Sequence, residues 1–403
     1  MNEFDVAIVG GGMVGASFAL ALRATKLRVL LIEGVPADSA AQPSFDERTT
    51  ALGNGSRQIF ESLGVWEAMA AEAAPIRSIH VSDAGRFGVA RLDAKEQGVA
   101  AFGYVVPNRV IGRVLWQALR DAPNVTLAVP AQVRGATLLE DGAWLDIERD
   151  GARERVHASV AVAADGAGSV LRAGAGIGAD VEDYDQVAIV VNAATERPNG
   201  GEAFERFTAS GPLAVLPTAG GGYTVVWAVR PARAAELLKL DDAAFADELL
   251  SAFGWRAGRW TRVGRRNQYP LALSRANETV AGRVVLIGNA AQALHPVAGQ
   301  GFNLGLRDAA TLAEMLAGAT AAPDFTELLA RFSAWRAEDR QGVTRFTDGL
   351  VKLFGSELPG LGLVRNFGLL LFDLSPAAKR ALSRVSWGFA GRMPRLARGL
   401  PLE

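Results

Sequence analysis

Apolar runs separated by polar and glycine-rich stretches predict an α/β fold at the start of the chain. Phe4–Val9 is a short apolar run rich in β-branched residues and is typical of a buried parallel strand. Residues 13–22 have helical character, and residues 28–33 predict a second strand. A strand–helix–strand unit of about 30 residues is the building block of Rossmann-like, doubly wound folds.

Two later apolar runs have the same character. Residues 160–164 and 283–288 predict buried strands, and residues 303–315 predict a helix that follows the second strand. Each strand leads into glycine and polar residues. The order of strand, polar group, glycine loop and helix therefore repeats that of the first unit.

The middle of the chain predicts a different kind of domain. Residues 187–191, 214–217 and 223–229 predict strands, and the last two are joined by a glycine hairpin turn. We predict that these strands form an inserted β-sheet domain that could cover a ligand. From about residue 323 the sequence predicts a helical region. The predicted division is 1–75, 101–177 and 273–345 for a discontinuous nucleotide-binding domain, 76–100 and 178–272 for the β-sheet substrate domain, and 346–403 for the helical C-terminal region.

Composition removes several classes of function. The 403 residues are 49% hydrophobic and 21% charged, which is ordinary for a globular protein of two domains. The net charge of −1 gives no general attraction to nucleic acid. Without cysteine there is no disulfide or thiolate chemistry, and the three histidines show no metal-site spacing, so no metal is expected. The acidic start is unlike a signal peptide and no apolar stretch is free of interruptions, so we expect a cytoplasmic protein.

The glycine cluster after the first strand predicts a dinucleotide site. Gly10 permits a tight turn, Gly12 lets the backbone approach a pyrophosphate, and Gly15 allows the helix to pack closely on the strand. The helix N-terminus then offers free N–H groups to the phosphates. Glu33 ends the second strand, where its carboxylate can accept hydrogen bonds from a ribose. A glycine-rich turn without a ligand is the alternative.

The two later strands end in residues that suit another part of the same ligand. Asp165-Gly166 follows one strand, with Ser169 and Arg172 at helical spacing, although a carboxylate there could simply cap a turn. Gly288-Asn289 follows the other strand and leads into the loop 296–303. That loop could offer N–H groups to an electron-rich target such as the pyrimidine side of a flavin.

These motifs resemble the flavoprotein aromatic hydroxylases related to para-hydroxybenzoate hydroxylase, and more narrowly the ubiquinone-biosynthesis hydroxylases. The likeness runs from about residue 4 to about residue 345, and more loosely to the end. The segments that carry the narrower likeness are 47–52, 79–83, 103–109, 211–214, His295-Pro296 and 299–301.

The resemblance implies FAD as the cofactor and NAD(P)H as the reductant. Arg48 would lie near the flavin, Arg109 near the pyrophosphate, and Asp165-Gly166 would serve both nucleotides. The wider family has Asp at the position of Asn289, and Asn keeps hydrogen bonding but not the charge. The cofactor-binding residues implied are Gly10, Gly12, Gly15, Glu33, Arg48, Arg109, Asp165, Gly166, Gly288, Asn289, Gly301 and Asn303.

The resemblance also gives the catalytic candidates, His295, Pro296, Gly299 and Gln300. His295 suits a proton shuttle because an imidazole titrates near neutral pH, and packing beneath the loop is the alternative. Arg48 precedes Ala51-Leu52, which predict the start of a helix, and is either a flavin contact or a surface salt bridge.

The C-terminal region is basic and amphipathic. Glu403 is the only acid after Asp373. Such a tail could lie on an anionic membrane surface, or it could pack on its own protein or on a partner subunit. The basic residues are Lys379, Arg380, Arg384, Arg392, Arg395 and Arg398.

The resemblance implies an FAD-dependent aromatic-ring hydroxylase, a monooxygenase of ubiquinone biosynthesis that uses O2 and NAD(P)H on 2-polyprenyl-6-methoxyphenol. The expected partners are this polyprenylated phenol, O2, and either a peripheral contact at the inner membrane or other proteins of the pathway. Two alternatives remain open: a related flavin hydroxylase of another aromatic or secondary metabolite, and a flavin-free lipid-binding scaffold. Ring position, prenyl chain length, the choice of NADH or NADPH, and oligomeric state are not predicted.

Overall fold

The computed structural model describes residues 3–39, 41–296, 299–319, 324–355, 361–375, 377–380 and 392–402. The strands are β1 Glu3–Val9, β2 Val29–Ile32, β3 Thr49–Gly53, β4 Ala74–Ile76, β5 Ser78–Asp83, β6 Val89–Asp93, β7 Gly103–Pro107, β8 Val125–Ala128, β9 Gln132–Leu138, β10 Ala143–Arg149, β11 Ala152–Ala163, β12 Ala179–Thr195, β13 Glu202–Thr208, β14 Gly211–Pro217, β15 Tyr223–Val229, β16 Trp260–Val263, β17 Asn267–Ala276, β18 Val280–Ala281, β19 Val284–Leu286 and β20 Gln292–Ala293. The helices are α1 Met13–Ala21, α2 Asn54–Ser62, α3 Trp66–Ala70, α4 Asn108–Arg120, α5 Val170–Gly174, α6 Pro231–Lys239, α7 Asp242–Phe253, α8 Gln300–Ala317, α9 Phe325–Gly355 and α10 Leu361–Asp373, with 3-10 turns at Gly288–Ala290 and Leu396–Arg398.

The first sheet has a parallel core in the order β19-β11-β1-β2-β8. Antiparallel β18 extends one edge, and the β9–β10 hairpin pairs with the first half of β11. The inner strands are runs of Val, Ile, Leu and Ala because both faces of the sheet are covered, and every residue of β2 is buried. Parallel pairing brings the carboxyl ends of β1, β2, β11 and β19 to one edge of this sheet.

The second sheet has β12 at its centre and runs β20-β17-β12-β15-β14-β13-β5-β6, with β16 also on β12. Helices α6 and α7 pack on it around a core that includes Trp227, Phe245 and Phe253. The β5–β6 hairpin joins this sheet through parallel pairing of β5 with β13. Strands from residues 78–93 and from residues 179–276 therefore belong to one sheet. A small third sheet has the order β3-β7-β4.

Some elements differ from the sequence prediction. The segment around Ala51-Leu52 is strand β3, since it pairs with β7 and the helix begins only at Asn54. Strand β12 begins at Ala179, well before the apolar run at 187–191, because its polar first half pairs with β17. Helix α8 begins at Gln300 rather than at 303, directly after Gly299 in a left-handed conformation.

Part of the basic tail packs on its own fold. Leu396 and Ala397 are buried in the main core, and the Arg395 backbone N–H donates to Glu314. The Arg392 guanidinium lies 3.7 Å from the centre of the Trp335 ring. Arg384 lies outside the described residues. In the described part of the chain, no helix combines the length and apolarity that a transmembrane span requires.

Candidate active site

A cleft of about 600 Å³ opens at the carboxyl edge of the first sheet. Four chain segments that follow β1, β2, β11 and β19 contribute to its wall, because the parallel strands all end here. Six of the predicted cofactor-binding residues line it: Gly10, Gly12, Glu33, Asp165, Gly166 and Asn289.

The glycines at the start of α1 allow a close approach of backbone to backbone. A Cβ on Gly10 would lie 2.6 Å from the Ala164 carbonyl oxygen, and Gly10 has a φ of +100°. A Cβ on Gly15 would lie 1.9 Å from the Gly10 carbonyl oxygen, so the helix packs directly on the turn. This contact leaves the N-terminus of the nine-residue α1 facing the cleft, where Gly12 and Met13 line the wall.

The Glu33 carboxylate holds the glycine turn and still faces the cleft. It accepts from the Gly11 N–H at 2.6 Å and from the Val35 N–H at 2.9 Å. An ionised carboxylate has about four lone-pair sites. The Gln42 amide donates to the same carboxylate at 3.5 Å, and these three bonds still leave acceptor capacity for a hydroxyl group of a ligand.

Asp165 both caps a helix and presents a spare oxygen. Its Oδ2 accepts from the Val170 N–H at 2.8 Å, at the start of α5. Its Oδ1 is buried and has no hydrogen-bond partner among the described residues. Burial raises the pKa of this carboxyl, against the lowering effect of its hydrogen bonds. A buried acceptor without a partner is costly, and a donor from a ligand in the cleft would remove that cost.

Arg172 joins the second motif to the third. Its guanidinium donates to the Ala290 carbonyl oxygen at 3.1 Å and to the Ala167 carbonyl oxygen at 2.7 Å. Ala290 ends the 3-10 turn that contains Gly288 and Asn289. The Asn289 side chain is exposed on the cleft wall, whereas Gly288 is buried.

Asn303 lies outside the cleft wall and is fully engaged in the protein. Its Oδ1 accepts from the Gly53 N–H and the Ser56 hydroxyl, and its Nδ2 donates to the carbonyl oxygens of Ala51 and Gly299. These bonds fix the start of α8 against β3. Asn303 can therefore support the loop, and Gly301 in the first turn of α8 has open space at its Cβ position.

The structure does not bring Arg48 or Arg109 to this cleft. The Arg48 guanidinium binds Asp46 at 2.7 Å, donates to the Pro43 carbonyl oxygen and lies over the Tyr269 ring. Among the described residues, its only link to the cleft is the hydrogen bond to Pro43, which lines the wall. Arg109 pairs with Glu72 at 2.8 Å and faces a second cavity.

The second cavity has a volume of about 540 Å³ and lies where the small sheet meets the second sheet. Glu47, Thr49 and Arg109 line it on one side, and Asn192 and Tyr223 line it on the other. The segment from 42 to 49 thus borders both cavities, since its first residues line the first cleft and its last residues line the second.

His295 is buried beside the second sheet. Its Nε2 lies 3.2 Å from the Gln186 Oε1, and its ring meets the Tyr184 ring edge-on at 5.1 Å. Burial lowers the pKa of His295 to about 4, so the imidazole is neutral near neutral pH. Among the other catalytic candidates, Pro296 is half-buried, Gln300 is buried, and Gly299 precedes α8 with a φ of +60°.

Sequence reasoning missed several residues of the cleft wall. Ala131 to Arg134 follow β8, the fifth parallel strand, and the rule that ligands bind at the carboxyl ends of strands could have found them. Gln42, Pro43 and Ser44 lie in an irregular loop without a sequence signal. Phe302 also lines the wall and stacks on Phe60.

The donor set of the first cleft fits a dinucleotide. It combines a backbone cradle at a helix N-terminus, a carboxylate with spare acceptor capacity and the partnerless Asp165 Oδ1. Gly10, Gly12, Glu33, Asp165, Gly166 and Asn289 all line this one cleft.

Comparisons with known proteins agree with this geometry. Residues 3–347 match the FAD binding domain family. The chain is 36% identical to the ubiquinone hydroxylase UbiL of Rhodospirillum rubrum, over 99% of this chain and 93% of that protein. It is 32% identical to the 3-demethoxyubiquinol 3-hydroxylase of Escherichia coli, over 95% of this chain and 98% of that protein.

A solved structure extends the likeness to the whole fold. The p-nitrophenol 4-monooxygenase PnpA of Pseudomonas putida superposes with a TM-score of 0.80 at 21% identity, over 97% of this chain and 100% of that chain. At this identity the match supports the fold alone. The family match and the two sequence relatives show that the chain belongs to the FAD-dependent monooxygenases of the FAD binding domain family, among the ubiquinone-biosynthesis hydroxylases.

Proposed function

We propose that this protein hydroxylates the ring of a polyprenylated phenol, 2-polyprenyl-6-methoxyphenol, with O2 and NAD(P)H. The observation that carries the proposal is the cleft at the carboxyl edge of the first sheet, with its glycine cradle and the Asp165 Oδ1, which has no partner among the described residues. Bound FAD would supply the oxygen chemistry. Two relatives are named as a ubiquinone hydroxylase and as a 3-demethoxyubiquinol 3-hydroxylase.

The protein's own residues bind, orient and exclude water. The second cavity is our candidate for the aromatic ring, because the segment 42–49 joins it to the cofactor cleft. The polar groups there, Glu47, Arg109 and Asn192, could orient a phenol hydroxyl. The prenyl chain favours an apolar environment, and peripheral contact with a membrane belongs to the same proposal.

The experiment has two stages. A purified protein that shows the absorbance spectrum of oxidised flavin would exclude the flavin-free scaffold. Analysis of the quinone intermediates in cells that lack the protein then identifies the ring position. Accumulation of 2-polyprenyl-6-methoxyphenol supports the proposal, and accumulation of a different intermediate, or of none, contradicts it. Accumulation of a different intermediate, or of none, would favour a related hydroxylase that acts on another aromatic compound.

The reductant is tested separately. Because one glycine fingerprint serves the cofactor and the sequence has no second complete one, we expect NAD(P)H to bind transiently at the Asp165-Gly166 side of the cleft. Anaerobic mixing with NADH or NADPH, with and without the phenol, measures the rate at which flavin absorbance is lost. No reduction by either nucleotide would indicate a reductase partner.

A proton shuttle at His295 remains a proposal beside the packing alternative. The neutral, buried imidazole between Gln186 and Tyr184 favours packing, although a neutral ring can still relay a proton. His295→Ala with unchanged hydroxylation and unchanged coupling of NAD(P)H use to product would exclude the shuttle.

A further inference from the structure

In the part of α10 whose side chains are described, from Asn366 onwards, the polar residues Asn366 and Asp373 contact the protein, and several apolar side chains face solvent. Asn366 is 1% exposed, and its amide accepts from the Gly88 N–H at 2.6 Å. Asp373 accepts from the Arg91 N–H at 2.8 Å, and both bonds reach the β5–β6 hairpin. Phe372 packs on the apolar cluster below. The helix is thus held to the sheet partly by polar contacts.

The outer face of α10 is a continuous apolar stripe. Phe367, Leu370, Leu371 and Leu374 have the i, i+3, i+4, i+7 spacing of one helix face and are 56%, 38%, 67% and 70% exposed. Phe87 at the tip of the β5–β6 hairpin is 59% exposed and meets Phe367 edge-on at 5.7 Å. We call these five residues the α10 patch. A contiguous group of this kind on a protein surface marks an interaction site.

The charges around the α10 patch favour an anionic partner. Residues 83–91 and 366–380 contain four basic side chains and two acidic ones. Both acids have internal partners, since Asp83 pairs with Arg86 at 3.6 Å and Asp373 pairs with Lys379 at 2.9 Å. Arg91 and Arg380 are exposed. The two chain segments that carry the patch therefore have a net charge of +2, four basic side chains less two acidic ones.

We propose that the α10 patch docks this protein on an anionic lipid bilayer. An exposed helix face of Leu and Phe with basic residues at its rim is the pattern of a helix that lies in the membrane interface. The same helix is too short and too polar on its inner face to cross a bilayer. Docking rests on the proposed function in one respect, since a polyprenylated substrate would reside in that bilayer.

The test is co-sedimentation of the full-length protein with vesicles of phosphatidylcholine alone and of phosphatidylcholine with phosphatidylglycerol. We expect binding to the anionic vesicles that weakens with salt, and at least a tenfold lower partition coefficient for Leu371→Glu. Val181→Glu is the matched control, because Val181 is also 67% exposed but lies on β12. It should bind as the wild type does.

Several results would overturn the proposal. They are no binding by the wild type, equal binding by Leu371→Glu, and equal binding to neutral vesicles. If Leu371→Glu instead changes a dimer into a monomer in light scattering and leaves vesicle binding unchanged, the patch is an interface between copies of this chain. Flavin content and thermal midpoint should match the wild type in both variants.

The result can be separated from the proposed reaction. Leu371→Glu should still oxidise a short-chain, water-soluble analogue of the phenol at the wild-type rate, since the α10 patch lines neither cavity. Failure of vesicle binding with normal turnover refutes the docking surface alone. Absence of turnover in the wild type refutes the proposed function alone.

Discussion

At the scale of single residues, the amide of Asn303 uses all of its hydrogen-bonding capacity inside the protein. It accepts two bonds and donates two, at distances between 2.6 and 2.9 Å. A carboxylate at this place would face the carbonyl oxygens of Ala51 and Gly299 with no donor. Position 289 is different, since the Asn289 side chain is exposed on the cleft wall. The same chemical change therefore has different consequences at the two positions.

We predict that Asn303→Asp lowers the free energy of unfolding by about 3 kcal/mol, because it loses two donor bonds and buries an acidic group. Asn289→Asp should change it by less than about 0.5 kcal/mol and should retain FAD, since the exposed group stays solvated. Urea unfolding of the apoproteins and flavin titration measure both effects. Equal losses of stability in the two variants would contradict the assignment of Asn303 as a structural residue.

Gly15 and Gly301 provide a second pair of positions. Gly15→Ala should prevent stable folding of the first unit, because the new Cβ would lie 1.9 Å from the Gly10 carbonyl oxygen. Gly301→Ala has open space and should leave the apoprotein equally stable or up to about 1 kcal/mol more stable. Weaker flavin binding by a stable Gly301→Ala protein would indicate that the flavin approaches this backbone. Soluble expression, thermal midpoint and flavin affinity are the measurements.

At the scale of elements, buried ion pairs join α8 to α9. Arg336 binds Asp308 at 2.7 Å and Asp339 at 2.6 Å, and Arg307 binds Asp339 at 2.8 Å. Burial raises the pKa of Asp339, but the charges of Arg307 and Arg336 bring it below its usual value. These pairs therefore hold α9 against α8, whose first turn contributes Phe302 to the cleft wall.

Removal of one partner should therefore be costly. We expect Asp308→Ala to lower the free energy of unfolding by about 3–5 kcal/mol, because it removes one of the two carboxylates of Arg336 and the carboxylate that lies 3.3 Å from the buried Arg340. Glu338→Ala on the same helix is the control, and its exposed side chain predicts a change within about 0.5 kcal/mol. A loss of less than 1 kcal/mol for Asp308→Ala would show that the pairs do not hold the two helices.

The elements also show what sequence patterns can and cannot predict. The β1–α1–β2 unit and β15 follow from local apolar runs, so their bounds are close to those predicted. Strand β3 and the first half of β12 depend on pairing with β7 and β17, which are distant in the chain. The same limit applies to the site. A motif identifies Asp165, but only packing reveals its partnerless oxygen, the separate cavity of Arg109 and the engagement of Asn303.

At the scale of the whole molecule, the buried His295 and the partly buried His80 link stability to pH. Burial lowers the pKa of His295 to about 4. Partial burial, together with the charges of Arg256 and Arg91, lowers the pKa of His80 to about 4 as well. In the unfolded chain the pKa of each imidazole is near 6.5. Between these values the unfolded state binds more protons than the folded state, so the stabilising contribution is full above 6.5 and is lost as the pH falls.

We therefore predict that the free energy of unfolding falls as the pH is lowered from about 7 to about 5. In His295→Gln the slope of this fall should be smaller, by the equivalent of up to one proton taken up on unfolding. One proton over that range corresponds to about 2 kcal/mol at pH 5, at 1.36 kcal/mol for each pH unit below 6.5.

Urea unfolding of the apoprotein at a series of pH values measures the slope, and it avoids the separate effect of flavin release. His157→Gln serves as the control, because His157 is only partly buried, on strand β11. If His295→Gln and the wild type have parallel profiles, the pKa of His295 is the same in the folded and unfolded protein, and burial does not lower it.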